Sequence, residues 1–177
     1  MNDLTLVNEK WPTLSKQERR NTIQQLEDQC KALDSAVHVD IELSHFHCDG
    51  VYAREMLIPK GTTLVGEIHR HPHINVVSQG KIRVATDQGI KTISAPSTFI
   101  SPAGTKRAGF VLEDTIWTVF HATKETNIDK IREEFIAPNY SSLDKQLGES
   151  NGMGSSCSSS SYDSSISNRS EESSKES

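Results

Sequence analysis

The run Glu67-Ile68-His69-Arg70-His71-Pro72-His73-Ile74-Asn75 places a carboxylate, three imidazoles and an amide at every second position. Alternate residues of a β-strand share a face, so these five side chains are expected to project together. Imidazole and carboxylate are ligands for divalent transition metals, and three histidines packed this closely form a dense donor set. Pro72 cannot donate to a strand ladder, so a bulge or an edge position is expected there. That interruption decides which of the five converge.

The remaining chemistry along the chain is sparse. His45, His47 and Cys48 stand just before an Asp49-Gly50 turn, where a solvated hairpin end is expected. No glycine-rich phosphate loop opens a helix, and no Gly-x-Ser-x-Gly elbow is present. Basic residues are dispersed and aromatics few; with a net charge of −5 this excludes nucleic-acid binding as the main role. No apolar run reaches bilayer length, and the amino terminus lacks a signal-peptide pattern, so no membrane partner is expected. Three scattered cysteines (Cys30, Cys48 and Cys157) match no zinc spacing and fit reduced thiols in a cytoplasm.

The elements that must position the histidine run follow from periodicity. Residues 1–36 form a helical segment: Ser15 and Glu18 make a capping box, and Ile23, Leu26, Cys30 and Leu33 recur at helical spacing. Trp11 and Leu14 precede the cap and are placed to pin this helix, as a lid or an oligomer contact. Residues 37–140 change to a period of two. Strands are expected at Val37–Leu43, Val51–Ile58, Leu64–His69, Ile74–Ser78, Lys81–Thr86, Ile90–Ile93, Thr98–Ser101, Arg107–Leu112 and Thr115–Ala122. Turn residues separate them and no long helix interrupts, so an all-β antiparallel barrel or double sheet follows. A short helix from Asn127 to Phe135 is expected across the outside of the sheet, with Pro138 stopping it. Residues 141–177 read as a disordered serine-rich tail, the composition shifting near Gly148.

From Gly61 to Val111 the chain resembles the cupins, a family of small jelly-roll barrels with two short motifs. Gly61 falls at the initial glycine of the first motif, Glu67 and His69 at its two histidine positions, His73 at its glutamate and Gly80 at its closing glycine. The spacing is kept while two residue types are exchanged. In the second motif Pro102 and Gly104 match. Pro96 and Val111 replace its leading glycine and final asparagine, and Arg107 stands where the family has its fourth ligand, a histidine. An arginine stays protonated and cannot ligate. The resemblance therefore implies Glu67, His69 and His73 as ligands of iron, manganese, nickel or zinc, with His71 a neighbour or alternative ligand. If Pro72 reverses the strand parity, the set becomes His69, His71 and a group such as His121. Arg107 would then clamp a carboxylate or phosphate of a small anionic ligand, with Asn75 and His121 completing the pocket.

The chain is also similar to small cupin-like proteins of bacteriophages. The segments that carry this are Tyr52-Ala53-Arg54-Glu55, Ile58-Pro59-Lys60-Gly61-Thr62, Pro102-Ala103-Gly104-Thr105-Lys106-Arg107 and Trp117-Thr118-Val119-Phe120-His121-Ala122-Thr123. Three functions follow as expectations. The first is a phage-type accessory module in the host cytoplasm that binds a metal ion, a small anion, or both. The second is a metal-dependent oxygenase, isomerase or lyase acting on a small metabolite. The third is a virion structural or assembly protein, a homo-oligomer through its amino-terminal helix. The lost fourth ligand favours the first over the second, and the density of imidazole favours the second over the third.

Overall fold

The computed structural model describes residues 10–33 and 39–143. The expected serine-rich tail lies outside the described residues apart from its first three. There Leu143 is buried against Ile68 and Ala137, so the packed body runs on past residue 140.

Alternating sequence becomes antiparallel sheet throughout. The described strands are β1 (Glu42–Cys48), β2 (Val51–Ile58), β3 (Thr63–Val65), β4 (Ile68–His69), β5 (His73–Thr86), β6 (Gly89–Ser94), β7 (Ser97–Ser101), β8 (Ala108–Ala122) and β9 (Ile136–Ala137). Among these residues the main sheet runs in the order β1-β2-β8-β5-β6, with β3 also on β8 and β7 also on β5, while β4 pairs with β9. The architecture is the expected jelly-roll barrel. Its inner face is filled by Ile58, Val77, Ile82, Val84, Ile93, Val111, Trp117 and Val119. Each fully buried Val or Ile there contributes about 1.5–3 kcal/mol.

The observed strands differ from the expected ones chiefly in four places. The first strand lies at Glu42–Cys48 rather than Val37–Leu43. Cys48 pairs directly with Val51, so the two-residue turn at Asp49-Gly50 fixes the register and draws the strand toward it. Two expected strands merge into β5, because Gln79 and Gly80 are absorbed as a bulge facing β8. Gly80 has φ +82°, and a Cβ there would lie 2.1 Å from the Asp114 carbonyl oxygen, so only glycine permits this approach. Arg107–Leu112 and Thr115–Ala122 likewise form one strand, β8. Conversely, the expected Leu64–His69 strand splits at Gly66-Glu67 into β3 and β4.

Helix α1 (Lys16–Ala32) carries the full capping box between Ser15 and Glu18. Only Ile23 of its apolar positions is fully buried; Leu26 and Cys30 are half-buried and Leu33 is exposed. Polar clamps do much of the docking. The Trp11 indole donates to the Thr86 carbonyl at 3.1 Å, Arg20 Nε to Asp87 at 2.9 Å, and the buried Lys106 ammonium to Glu27 and to Gln24 at 3.2 Å. Helix α2 (Ile128–Phe135) is capped by Asn127. It does not lie across the outside of the sheet. Its Ile131 and Phe135 pack on Tyr52, and Phe135 on His121. Tyr52 alternates with Met56 and Ile58, and His121 with Trp117 and Val119, so both belong to the inner face and α2 closes one end of the barrel.

Candidate functional site

The histidine run is not one continuous strand. β4 ends at His69, the chain bends through Arg70-His71-Pro72, and β5 begins at His73. This bend answers the question Pro72 posed. His69 and His73 both turn inward, each about 95% buried, with ring centroids 3.9 Å apart. His71 turns away, exposed, with its ring edge-on to Phe135 at 5.8 Å. Backbone bonds hold the bend in place: Gly66 N–H donates to Arg107 O, Gly104 N–H to His69 O and Arg70 N–H to Phe135 O, all at 2.8 Å.

Strand pairing brings in the rest. His121 lies 5.1 Å from His69 and 5.4 Å from His73. It is opposite Tyr52 in the β2–β8 ladder, and Tyr52 is opposite His47 in the β1–β2 ladder. The Tyr52 ring is 6.2 Å from His121 and 5.1 Å from His47, and its hydroxyl is 2.7 Å from His45 Nδ1. His45 and His47, expected at a solvated hairpin end, are exposed but sit within a strand and touch the outer end of this array.

Burial, the leading cause, pushes the imidazoles down: His69 to about 2, His73 and His121 to about 4. All three are therefore neutral at neutral pH. His73 Nδ1 lies 3.2 Å from the His71 carbonyl, whereas His69 Nδ1 is buried without a hydrogen-bond partner.

Beside the imidazoles lies a cavity of about 90 Å³, bordered by Arg54, Glu67, His69, His73, Arg107 and Trp117. Glu67 pairs with Arg54 at 3.4 Å and, through its other oxygen, with Arg132 of α2. Arg107 donates from Nη2 to Ser101 Oγ at 2.6 Å, while its buried Nε has no hydrogen-bond partner. Burial lowers this guanidinium to about 10, which leaves it charged at neutral pH. Asn75 has a structural part. Its amide donates to Ser101 Oγ at 2.7 Å and its oxygen accepts the Trp117 indole N–H at 3.0 Å, so it fixes the wall that carries Arg107.

The sequence implied a metal at Glu67, His69 and His73, and the side chains do not fit one. Among the described residues no group of three or more His, Cys, Asp or Glu is placed to hold a metal ion. Glu67 has both oxygens committed to guanidinium groups, His71 points elsewhere, and the His69 and His73 rings are packed against each other at a tilt of 30°. Two arginines at the cavity wall further disfavour a dication.

Sequence reasoning missed Arg54, Tyr52 and Ser101 as parts of the site. Arg54 was detectable, since it alternates with Met56 and Ile58 and must share their inward face. Tyr52 was detectable by the same alternation, whereas Ser101 depends on which strands become neighbours, and no local pattern carries that.

No family model matches this chain, and no curated protein matches it. Among solved structures it is similar to KdgF from Halomonas sp., at 20% identity and a TM-score of 0.44, covering 54% of this chain and 88% of that one. An acetylacetone dioxygenase from Acinetobacter johnsonii matches at 20% identity and 0.42, over 51% of this chain and 65% of that one. An RmlC-like cupin family protein with a double-stranded β-helix fold from Methanocaldococcus jannaschii matches at 10% identity and 0.41, over 51% and 87%. Of these three, the last is named as a cupin.

Proposed function

We propose that the barrel lumen binds a small anionic molecule, with Arg107 as its principal anchor. One observation carries this reading. Arg107 is a largely enclosed guanidinium that pairs with no carboxylate among the described residues, and its Nε has no hydrogen-bond partner. Holding a charge away from water without a counter-charge costs several kcal/mol. A carboxylate or phosphate in the cavity offsets that cost and takes the planar donor fork bidentately.

The surrounding groups suit the same occupant. Two neutral imidazoles, His69 and His73, border the cavity without adding charge, and Trp117 supplies an apolar floor. Arg107, standing where the cupin motif has its fourth ligand, favours an accessory role, sequestering or sensing a small acid, over catalysis. Titration calorimetry with acetate, lactate and inorganic phosphate tests the site. Saturable binding is expected for the parent, with a loss of about tenfold or more in Arg107→Met. Equal affinity in parent and variant, or no binding of any of the three, would overturn the proposal.

A further inference from the structure

Arg107 borders two cavities. A second cavity of about 280 Å³ opens between β6 and β7, bordered by Lys91, Phe99, Thr105 and again Arg107. Lys91 is opposite Val84 in the β5–β6 ladder and Phe99 is opposite Asn75 in the β5–β7 ladder. Val84 and Asn75 are both buried inner-face residues, so Lys91 and Phe99 belong to the lumen side of their strands. Lys91 Nζ is 4.8 Å from the Phe99 ring centroid, and the Arg107 guanidinium carbon is 5.6 Å from the same ring. One aromatic ring thus lies near both cations.

The charge balance of the two cavities is uneven. Arg54 is offset by Glu67, which also serves Arg132. The imidazoles are neutral at neutral pH. Lys91 and Arg107 pair with no carboxylate among the described residues. Two positive charges therefore remain, one in each cavity. Lys91 is exposed at the mouth of its cavity; partial burial and then the field of Arg107 lower its ammonium from the ordinary range.

We infer that the ligand carries two separated anionic groups. One is held in the inner cavity by Arg107 and the other at the mouth by Lys91, with the intervening atoms against Phe99. This deepens the single-anion reading above and rests on it.

Titration calorimetry at low ionic strength separates the two ideas, using butyrate, the diacids succinate, glutarate and adipate, and 3-phosphoglycerate. At least one doubly anionic probe is expected to bind the parent roughly tenfold tighter than butyrate. Preference for a diacid identifies the outer group as a carboxylate, and preference for 3-phosphoglycerate identifies a phosphate. Lys91→Met should bring the favoured probe down to the level of butyrate, and Lys91→Arg should restore most of the preference. If the parent binds butyrate as well as every doubly anionic probe, the two-anion inference fails and the single-anion site stands. The same holds if the preference survives Lys91→Met. No binding of any probe by the folded parent contradicts both.

Discussion

His69 and His73 meet with ring centroids 3.9 Å apart, although a bend through Pro72 separates their two strands. Such a contact does not tolerate charge on both imidazoles, and burial lowers the pKa of each so that both are neutral at neutral pH. The cluster is therefore a neutral, donor-bearing wall beside a charged arginine.

That neutrality predicts a pH dependence of stability. In the unfolded chain a histidine titrates near ~6.5. In the fold, His73 and His121 titrate at about 4 and His69 at about 2. Below ~6.5 the unfolded state binds more protons, so stability falls as pH drops and is regained as it rises. The contribution is complete above about pH 7. It declines from there toward pH 4, where His73 and His121 take up protons in the fold, and His69 extends the loss to lower pH. Urea midpoints between pH 4.5 and pH 7.5 should show a loss of a few kcal/mol, on the order expected from linkage. A flat profile would mean that the imidazoles are solvated.

Metal content gives an independent check. Protein purified without an affinity tag should contain well under one equivalent of iron, manganese, nickel or zinc by elemental analysis, because Glu67 is held by Arg54 and Arg132. A stoichiometric metal that disappears in His69→Ala and His73→Ala would show that the side chains rearrange around an ion, and the anion account would need replacing.

Gly80 should be intolerant of any side chain. A Cβ there would penetrate the Asp114 carbonyl at 2.1 Å, and φ is +82°. Gly80→Ala is expected to lose about 2–4 kcal/mol by chemical denaturation. Gly50, also at positive φ but with nothing within 4 Å, should lose only about 1 kcal/mol as Gly50→Ala. Equal losses at the two sites would contradict the bulge packing.

The amino-terminal helix should depend on one polar contact. Lys106 is 4% exposed and bonds Glu27 and Gln24 of α1. Glu27→Gln leaves the ammonium without its counter-charge, at a cost of about 3–5 kcal/mol. Limited proteolysis should then cut within α1 sooner than in the barrel. Unchanged protection would show that Trp11 and Asp87 suffice to hold the helix.

The fold was largely legible in the sequence because an inward-facing period of two, turn residues and caps are local signals. Val51–Ile58 was bounded correctly and the Ser15–Glu18 box formed as read. β5 and β8 were each divided in two, since a glycine bulge at Gly80 and an acidic pair at Glu113-Asp114 look like turns until the facing strand is known. The site was legible in part. Spacing located His69, His73 and Arg107, but whether Glu67 would serve a metal or an arginine depended on Arg54 and Arg132, which lie 13 residues before it and 65 after it in sequence. Composition cannot report such pairings. Among the described residues no helix is long and apolar enough to cross a membrane, in keeping with the hydropathy of the sequence.

The role of Arg107 is most directly tested by the side-chain Nε–H resonance of that residue in a ¹⁵N-labelled sample, assigned by its absence in Arg107→Lys. The account predicts that this signal shifts saturably as acetate, inorganic phosphate or succinate is added at constant ionic strength, while that of Arg132 stays in place. A folded protein whose Arg107 signal ignores all three anions would contradict it.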